Sequence, residues 1–170
     1  MTQPEPAQPL SDMPMPQGLT IRPEPPTDAA LDLLFQRHHQ AMHADTPPES
    51  IHMMPREALV SPEIAFFVLR EADRPLAMGA LKDLGGGLAE IKSMHVLSET
   101  RGRGLSRLLL RHMIAIARQR GFVRLSLETG AQPSFAAARR LYASEGFAEC
   151  PPFGDYRPDP NSTFMTLSLD

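Results

Sequence analysis

Leu88-Ala89-Glu90-Ile91-Lys92-Ser93-Met94-His95-Val96, followed by Leu97-Ser98-Glu99-Thr100 and then Arg101-Gly102-Arg103-Gly104-Leu105-Ser106, is the stretch that decides how this chain folds. In its first nine residues Ile91, Ser93 and His95 alternate with Lys92, Met94 and Val96, which predicts a strand. Its last residues open an amphipathic helix with Leu105, Leu108, Leu109, Met113, Ile116 and Ala117 on one apolar stripe. Gly121 is a C-terminal stop for that helix, and Phe122 to Glu128 reads as another strand. Strand, helix and strand over 88–128 predict a right-handed parallel crossover.

Upstream, Ile64–Leu69 and Leu76–Leu81 are apolar runs of strand formers, separated by Asp73-Arg74-Pro75 and followed by the turn Gly85-Gly86-Gly87. With Leu88–Val96 they predict an antiparallel meander. Leu19–Arg22 reads as a short strand. A helix over about 28–43 is expected from Leu31, Leu34, Phe35, His38 and Met42, with Thr27 as its N-cap. Residues 49–60 read as short helical pieces around Pro55. Downstream come a helix from Ser134 to Glu145, the stop Gly146, and strands over Phe147–Cys150 and Thr163–Leu169, separated by a proline-rich loop from Pro151 to Asn161.

At 170 residues and 18.8 kDa, with 42% hydrophobic residues, the chain suits one domain. Pro4, Pro6, Pro9, Pro14 and Pro16 crowd its beginning, so residues 1–17 are expected to be a disordered tail and 18–170 the domain. A net charge of −3 argues against holding nucleic acid by phosphate neutralisation. A single cysteine, Cys150, excludes an internal disulfide framework and a cysteine-rich zinc site. No apolar run reaches the roughly 18 residues that a spanning helix needs, and the N-terminus lacks the pattern of a secretory signal. The expectation is a cytoplasmic protein without membrane or nucleic-acid partners.

Glycines at 102 and 104 allow the backbone to turn sharply and approach a ligand. The first amides of the following helix have no intrahelical acceptors, and the helix dipole favours an anion there. Arg101, Arg103 and Arg107 add positive charge. The segment suits a pyrophosphate; it equally suits a tight turn carrying solvated arginines. It is not a P-loop, which needs Gly-Lys-Ser/Thr. Nor is it a dinucleotide fingerprint, because Arg107 stands where the third glycine belongs. A single copy that feeds an apolar-striped helix is also unlike an RNA-binding arginine–glycine repeat.

Arg101-Gly102-Arg103-Gly104-Leu105-Ser106 resembles the acyl-CoA motif of the GNAT superfamily of N-acetyltransferases, Arg/Gln-x-x-Gly-x-Gly/Ala, with Ser106 departing at the last position. Ala138-Arg139-Arg140-Leu141-Tyr142-Ala143-Ser144-Glu145-Gly146-Phe147 resembles the second signature, A-x-x-L-Y-x-x-x-G-F. EIKSMHV, LSLETG and PPFGDYRPDPNSTFMT are similar to the YsnE-like subgroup. The resemblance runs from about Gly18 to the C-terminus. It implies an α/β fold of the GNAT type: a mixed central sheet, helices on both faces, and strands 4 and 5 (here 88–96 and 122–128) splayed around acetyl-CoA. It further implies that backbone groups around Met94, His95 and Val96 hold the pantetheine, and that the amides from Gly102 through Arg103, Gly104, Leu105 and Ser106 to Arg107 hold the pyrophosphate. The Met94 amide is then a donor to the thioester oxygen.

The same resemblance makes Tyr142 the general acid for the departing thiolate, a role preferred here to the competing one of a core aromatic with a buried hydroxyl bond. For the general base, Glu90 is preferred, with Glu128 or a water relay as alternatives. Strand alternation sets Glu90, Lys92 and Met94 on one face unless a bulge intervenes, and a Glu90–Lys92 pair is the plain structural reading. Phe153, Asp155 and Tyr156 combine aromatic surface with a carboxylate that suits an amine. His39 and His43 have zinc-compatible spacing, but Gln40 replaces the glutamate of H-E-x-x-H, so no metal is expected. His95 either reaches the acceptor side or packs, and Cys150 has no activating partner nearby in sequence. The expected activity is transfer of acetyl from acetyl-CoA to a primary amine of a small molecule, by direct attack in a ternary complex. The alternatives are a peptide or protein amine as acceptor, and a non-catalytic acyl-CoA-binding module. A homodimer fits the family's habit.

Overall fold

A computed structural model describes residues 15–170. In it the chain runs through β1 (Leu19–Pro23), α1 (Asp32–Asp45), β2 (Ile64–Glu71), β3 (Arg74–Gly85), β4 (Leu88–Val96), α2 (Leu105–Gln119), β5 (Arg124–Gly130), α3 (Ala136–Ser144), β6 (Ala148–Glu149) and β7 (Ser162–Ser168). The strands form one sheet in the order β1-β2-β3-β4-β5-β7-β6. Strands β1 to β4 are the expected antiparallel meander with β1 added, β4 and β5 are parallel, and β7 returns antiparallel between β5 and β6. Residues 1–14, most of the stretch read as a tail, lie outside the described residues. Met15 packs against the core, and the Leu19 amide donates to the Pro16 carbonyl at 3.1 Å.

Two adjacent phenylalanines show how the layers form. Phe66 stacks on Phe35 of α1 at 5.8 Å, while Phe67 meets the edge of His112 of α2 at 5.4 Å. Successive strand side chains point to opposite faces, so α1 and α2 cover opposite faces of the sheet. The helix α2 comes close because β3 offers Gly79: a Cβ there would stand 2.9 Å from Met113 Cε. On α2 the buried set is Leu105, Leu109, Leu110, Met113, Ile114 and Ala117, with Leu108 and Ile116 only half-buried. The apolar face is thus wider than the single expected stripe. Arg107 and Arg111 reach across to Glu145 at the end of α3, at 2.7 and 3.0 Å.

Some boundaries differ from the sequence expectation. Asp28, not Thr27, caps the first turn: its side chain accepts from the Ala30 amide at 2.9 Å, and a 3-10 turn precedes α1. Strand β5 starts two residues later than expected and continues through Gly130, since the Phe122 amide is taken by the Ala117 carbonyl at the helix end. Glu128 therefore lies within the strand rather than at its end.

Candidate active site

Strands β4 and β5 pair only from Leu88↔Arg124 to Ile91↔Leu127. Beyond that point they diverge. From Lys92 onward the edge of β4 has β3 as its only strand partner, which leaves its other edge free to pair with a ligand. At the point of divergence β4 carries a bulge: Ala80 pairs with Lys92 and Met78 with His95, so Ser93 and Met94 together oppose Gly79. Ser93 takes a positive φ of 54°, a left-handed conformation uncommon for a residue with a side chain. The bulge interrupts the alternation between Lys92 and Met94, so the expectation of one shared face for Glu90, Lys92 and Met94 ends at Lys92.

The loop after β4 is built to receive an anion. Gly102 and Gly104 have φ of 84° and 75°, and a Cβ on either would meet no atom within 4 Å, so the space before them is open. Leu108 is the first amide of α2 with a carbonyl acceptor, Gly104 at 3.1 Å. The six preceding amides, Gly102 to Arg107, have no protein acceptor among the described residues. Leu105 is buried and anchors the turn. Arg101 is exposed beside it. Arg103 is held by Glu71 and Arg107 by Glu145, so the loop's positive charge is partly braced. These features fit a CoA pyrophosphate.

A cavity of about 130 Å³ opens at the splay. Lys92, Ser93 and Met94 line it from β4, and Glu128, Thr129 and Gly130 from β5. Tyr142 enters from α3. It is 8% exposed, its hydroxyl donates to Met94 Sδ at 3.8 Å, and its ring meets the edge of Phe147. Burial, with the Glu128 carboxylate nearby, pushes its pKa up to about 12, so the phenol keeps its proton. Of the two candidate bases, Glu90 is engaged. Its Oε2 accepts from the Tyr156 hydroxyl at 2.6 Å and lies 3.6 Å from Lys92 Nζ, which itself donates to the Tyr156 oxygen at 2.9 Å. The plain pairing of Glu90 with Lys92 therefore exists, with Tyr156 as its third member. Burial raises the pKa of Glu128, partly offset by Ser162, His52 and Lys92.

Tyr156 enters the cavity wall through this network. Phe153 instead packs on Tyr156 and Phe164, and Asp155 is exposed and outside the lining. His39 and His43 stack at 4.0 Å on the exposed face of α1, and no group of three metal-ligating side chains occurs among the described residues. Cys150 is half-buried, and burial raises its pKa, which disfavours the thiolate. The strand pattern gave no signal for His38, which lines the cavity from α1 and faces His95 at 5.4 Å. Its place in the helix's apolar spacing is the only hint that the sequence contains.

Burial lowers the pKa of both His38 and His95 from 6.5 to about 4, aided by His95 and His39 for the former and by Arg101 and Arg37 for the latter. Between those values the unfolded chain binds protons that the folded chain refuses. Stability is thus full above about pH 6.5 and is lost as pH falls toward about 4. The expected result is a lower melting temperature at about pH 5 than at about pH 7. That difference should shrink in a His38→Asn/His95→Asn variant; an unchanged difference would place the acid sensitivity elsewhere.

The class that this fold defines is the acyl-CoA N-acyltransferases. The model of the acetyltransferase (GNAT) family matches residues 28–147. The chain is 46% identical over 136 residues to the uncharacterized N-acetyltransferase YsnE of Bacillus subtilis, covering 80% of this chain and 90% of that protein. It is 40% identical over 150 residues to the uncharacterized N-acetyltransferase YedL of Escherichia coli, covering 88% and 94%. A structure reported as an acyl-CoA N-acyltransferase of Klebsiella pneumoniae superposes with a TM-score of 0.70 at 28% identity, covering 89% of this chain and 98% of that one. The chain belongs to the GNAT acetyltransferase family, and its activity is acetyl-CoA-dependent acetyl transfer. No helix among the described residues is long and apolar enough to cross a membrane.

Proposed function

We propose that the protein transfers acetyl from acetyl-CoA to a primary amine of a small molecule, by direct attack in a ternary complex. The observation that carries this reading is that the open amide cradle at Gly102–Arg107 and the cavity with Tyr142 and Glu128 lie at the same splay. The backbone of Met94 to Val96, His95 included, pairs with the pantetheine. The Met94 amide donates to the thioester oxygen as charge develops. Glu128 takes a proton from the ammonium; its raised pKa brings it nearer to a working base than an ordinary carboxylate. Glu90, bound to Tyr156 and Lys92, is a fixed wall rather than the base. The amine nitrogen bonds to the thioester carbon and the C–S bond breaks. Tyr142 then protonates the departing sulfur, and the second proton, left on the acetylated nitrogen, passes through solvent to the phenolate, which leaves the amide, the CoA thiol and a neutral Tyr142.

The size of the cavity supports a small acceptor. A peptide amine remains the second reading, since the cavity is not sealed from the surface. Titration calorimetry with acetyl-CoA tests the cradle. Saturable binding is expected, weakened roughly ten- to a hundredfold in Arg101→Ala/Arg103→Ala, the loss of about one charge-assisted contact to phosphate at about 1.5–3 kcal/mol. Arg103 is already held by Glu71, so Arg101 should carry the larger share. Absence of binding to the wild type would overturn the proposal. CoA release upon addition of a panel of primary amines tests the transfer itself.

A further inference from the structure

His52 stands in the wall of the acceptor cavity, on the segment that follows the 3-10 turn Pro48–Ser50. It is held from several sides. Its ring lies edge-on to Tyr156 at 5.2 Å with the planes at 90°, and its carbonyl accepts from Lys92 Nζ at 3.4 Å. Asn161 Nδ2 donates to Ser50 Oγ at 3.2 Å and ties this segment to the loop that carries Tyr156. Yet His52 Nε2 is buried and has no hydrogen-bond partner among the described residues. Three other buried side-chain atoms share that condition, on Thr46, Gln132 and Ser162, and none of those residues lines the cavity.

Buried polar groups are nearly always paired, and an exception in a pocket wall calls for a ligand. Among the other strong polar groups of the wall, His38 lies against the ring of His95. Glu90, Lys92 and Tyr156 bind one another, and Tyr142 and Glu128 face the reacting centre in the mechanism above. We infer that His52 determines acceptor specificity: the acceptor is a small amine carrying an oxygen function, a hydroxyl or a carboxylate, that hydrogen-bonds His52 Nε2 once a turn of the ring brings this buried atom to the cavity surface. This rests on the acetyl-transfer reading of the same cavity. An imidazole nitrogen serves as donor or acceptor according to tautomer. A hydroxyl pairs with either form, and a carboxylate pairs with the N–H form. An amine lacking oxygen would leave the nitrogen unpaired and be discriminated against, as in sites built to bond a substrate hydroxyl.

The test compares matched acceptors on the full chain: propylamine, 3-amino-1-propanol and 3-aminopropanoate, together with their two- and four-carbon counterparts. CoA release gives kcat/KM for each. The wild type is expected to prefer an oxygen-bearing amine over its plain partner by about tenfold or more. In His52→Phe, which keeps a flat ring against Tyr156, the ratio should fall to near unity. His52→Gln, whose amide can reach the same place, should retain part of it. If His52→Phe does not fold, His52→Leu removes the nitrogen in its stead. Equal use of plain and oxygen-bearing amines by the wild type overturns the inference, as does a preference that survives loss of the nitrogen. Whichever amine is preferred separates hydroxyl from carboxylate. If no amine releases CoA, the acetyl-transfer reading fails by itself. The inference is then decided by thermal shift of the CoA-loaded protein: stabilisation by an oxygen-bearing amine that depends on His52 sustains it, and its absence overturns it.

Discussion

Tyr142→Phe is expected to lower acetyl transfer by about 10²–10⁴-fold, the range for loss of a general acid, while leaving acetyl-CoA affinity within about twofold of the wild type. Affinity should survive because the amides at Gly102–Arg107 and the free edge of β4 do not involve the phenol. Folding should survive because the hydroxyl's only hydrogen bond among the described residues is the contact with Met94 Sδ at 3.8 Å, and thioethers are weak acceptors. The ring itself, packed on Phe147, remains. The lost quantity is therefore chemical. The hydroxyl already points to a sulfur, stays protonated with a pKa of about 12, and sits in a low-dielectric wall where a hydrogen bond to a nascent thiolate is strengthened. Pre-steady-state CoA release and calorimetry on the same preparation measure both halves. Undiminished transfer would return Tyr142 to the role of a core aromatic.

The largest expected change in stability comes from Phe67→Ala. Phe67 is fully buried, lies in the middle of β2 opposite Gly79, and packs edge-on to His112 of α2. Truncation removes the ring and leaves a cavity between sheet and helix, at about 3–5 kcal/mol. For a chain of this length that is a fall in melting temperature of roughly 6–20 °C, at about 2–4 °C per kcal/mol. Gly79 also faces the Ser93–Met94 bulge on its other side, so the loss should loosen the splay and weaken acetyl-CoA binding in proportion. Phe67→Leu, closer in volume, should show a small part of both effects. A melting temperature within a few degrees of the wild type would mean that the sheet and α2 close over the gap.

The architecture was legible in local pattern. The strand at 88–96, the glycines at 102 and 104 and the apolar face of α2 are each produced by neighbours within a few residues, and the structure keeps all three, although the alternation along the strand breaks at the Ser93 bulge. The two motifs around Arg101–Ser106 and Tyr142 carry the family, and the family carries the parallel splayed pair. Other features had weaker local signals. The bulge at Ser93 depends on how β4 meets Gly79 on β3, and alternation read along one strand cannot show a partner's offset. Helix ends moved by a residue or more because caps compete: Asp28 and Thr27 are both good caps, and only the path of the chain into α1 chooses between them.

The assembly of the acceptor site belonged to tertiary structure. Tyr156 and Glu90 are 66 residues apart and share a hydrogen bond of 2.6 Å, while Asp155, next to Tyr156 in sequence, is exposed outside the cavity. His38 and His52 enter the same cavity from separate segments that carry no shared motif. The amino-acid sequence by itself determined the elements, their order and the cofactor loop, because those follow from backbone preferences and periodic burial over short spans. Which carboxylate is tied up, which is left with a raised pKa, and which polar atom is buried unpaired beside the cavity were decided by packing. These depend on distances between side chains far apart in the chain and on how completely the fold removes them from water.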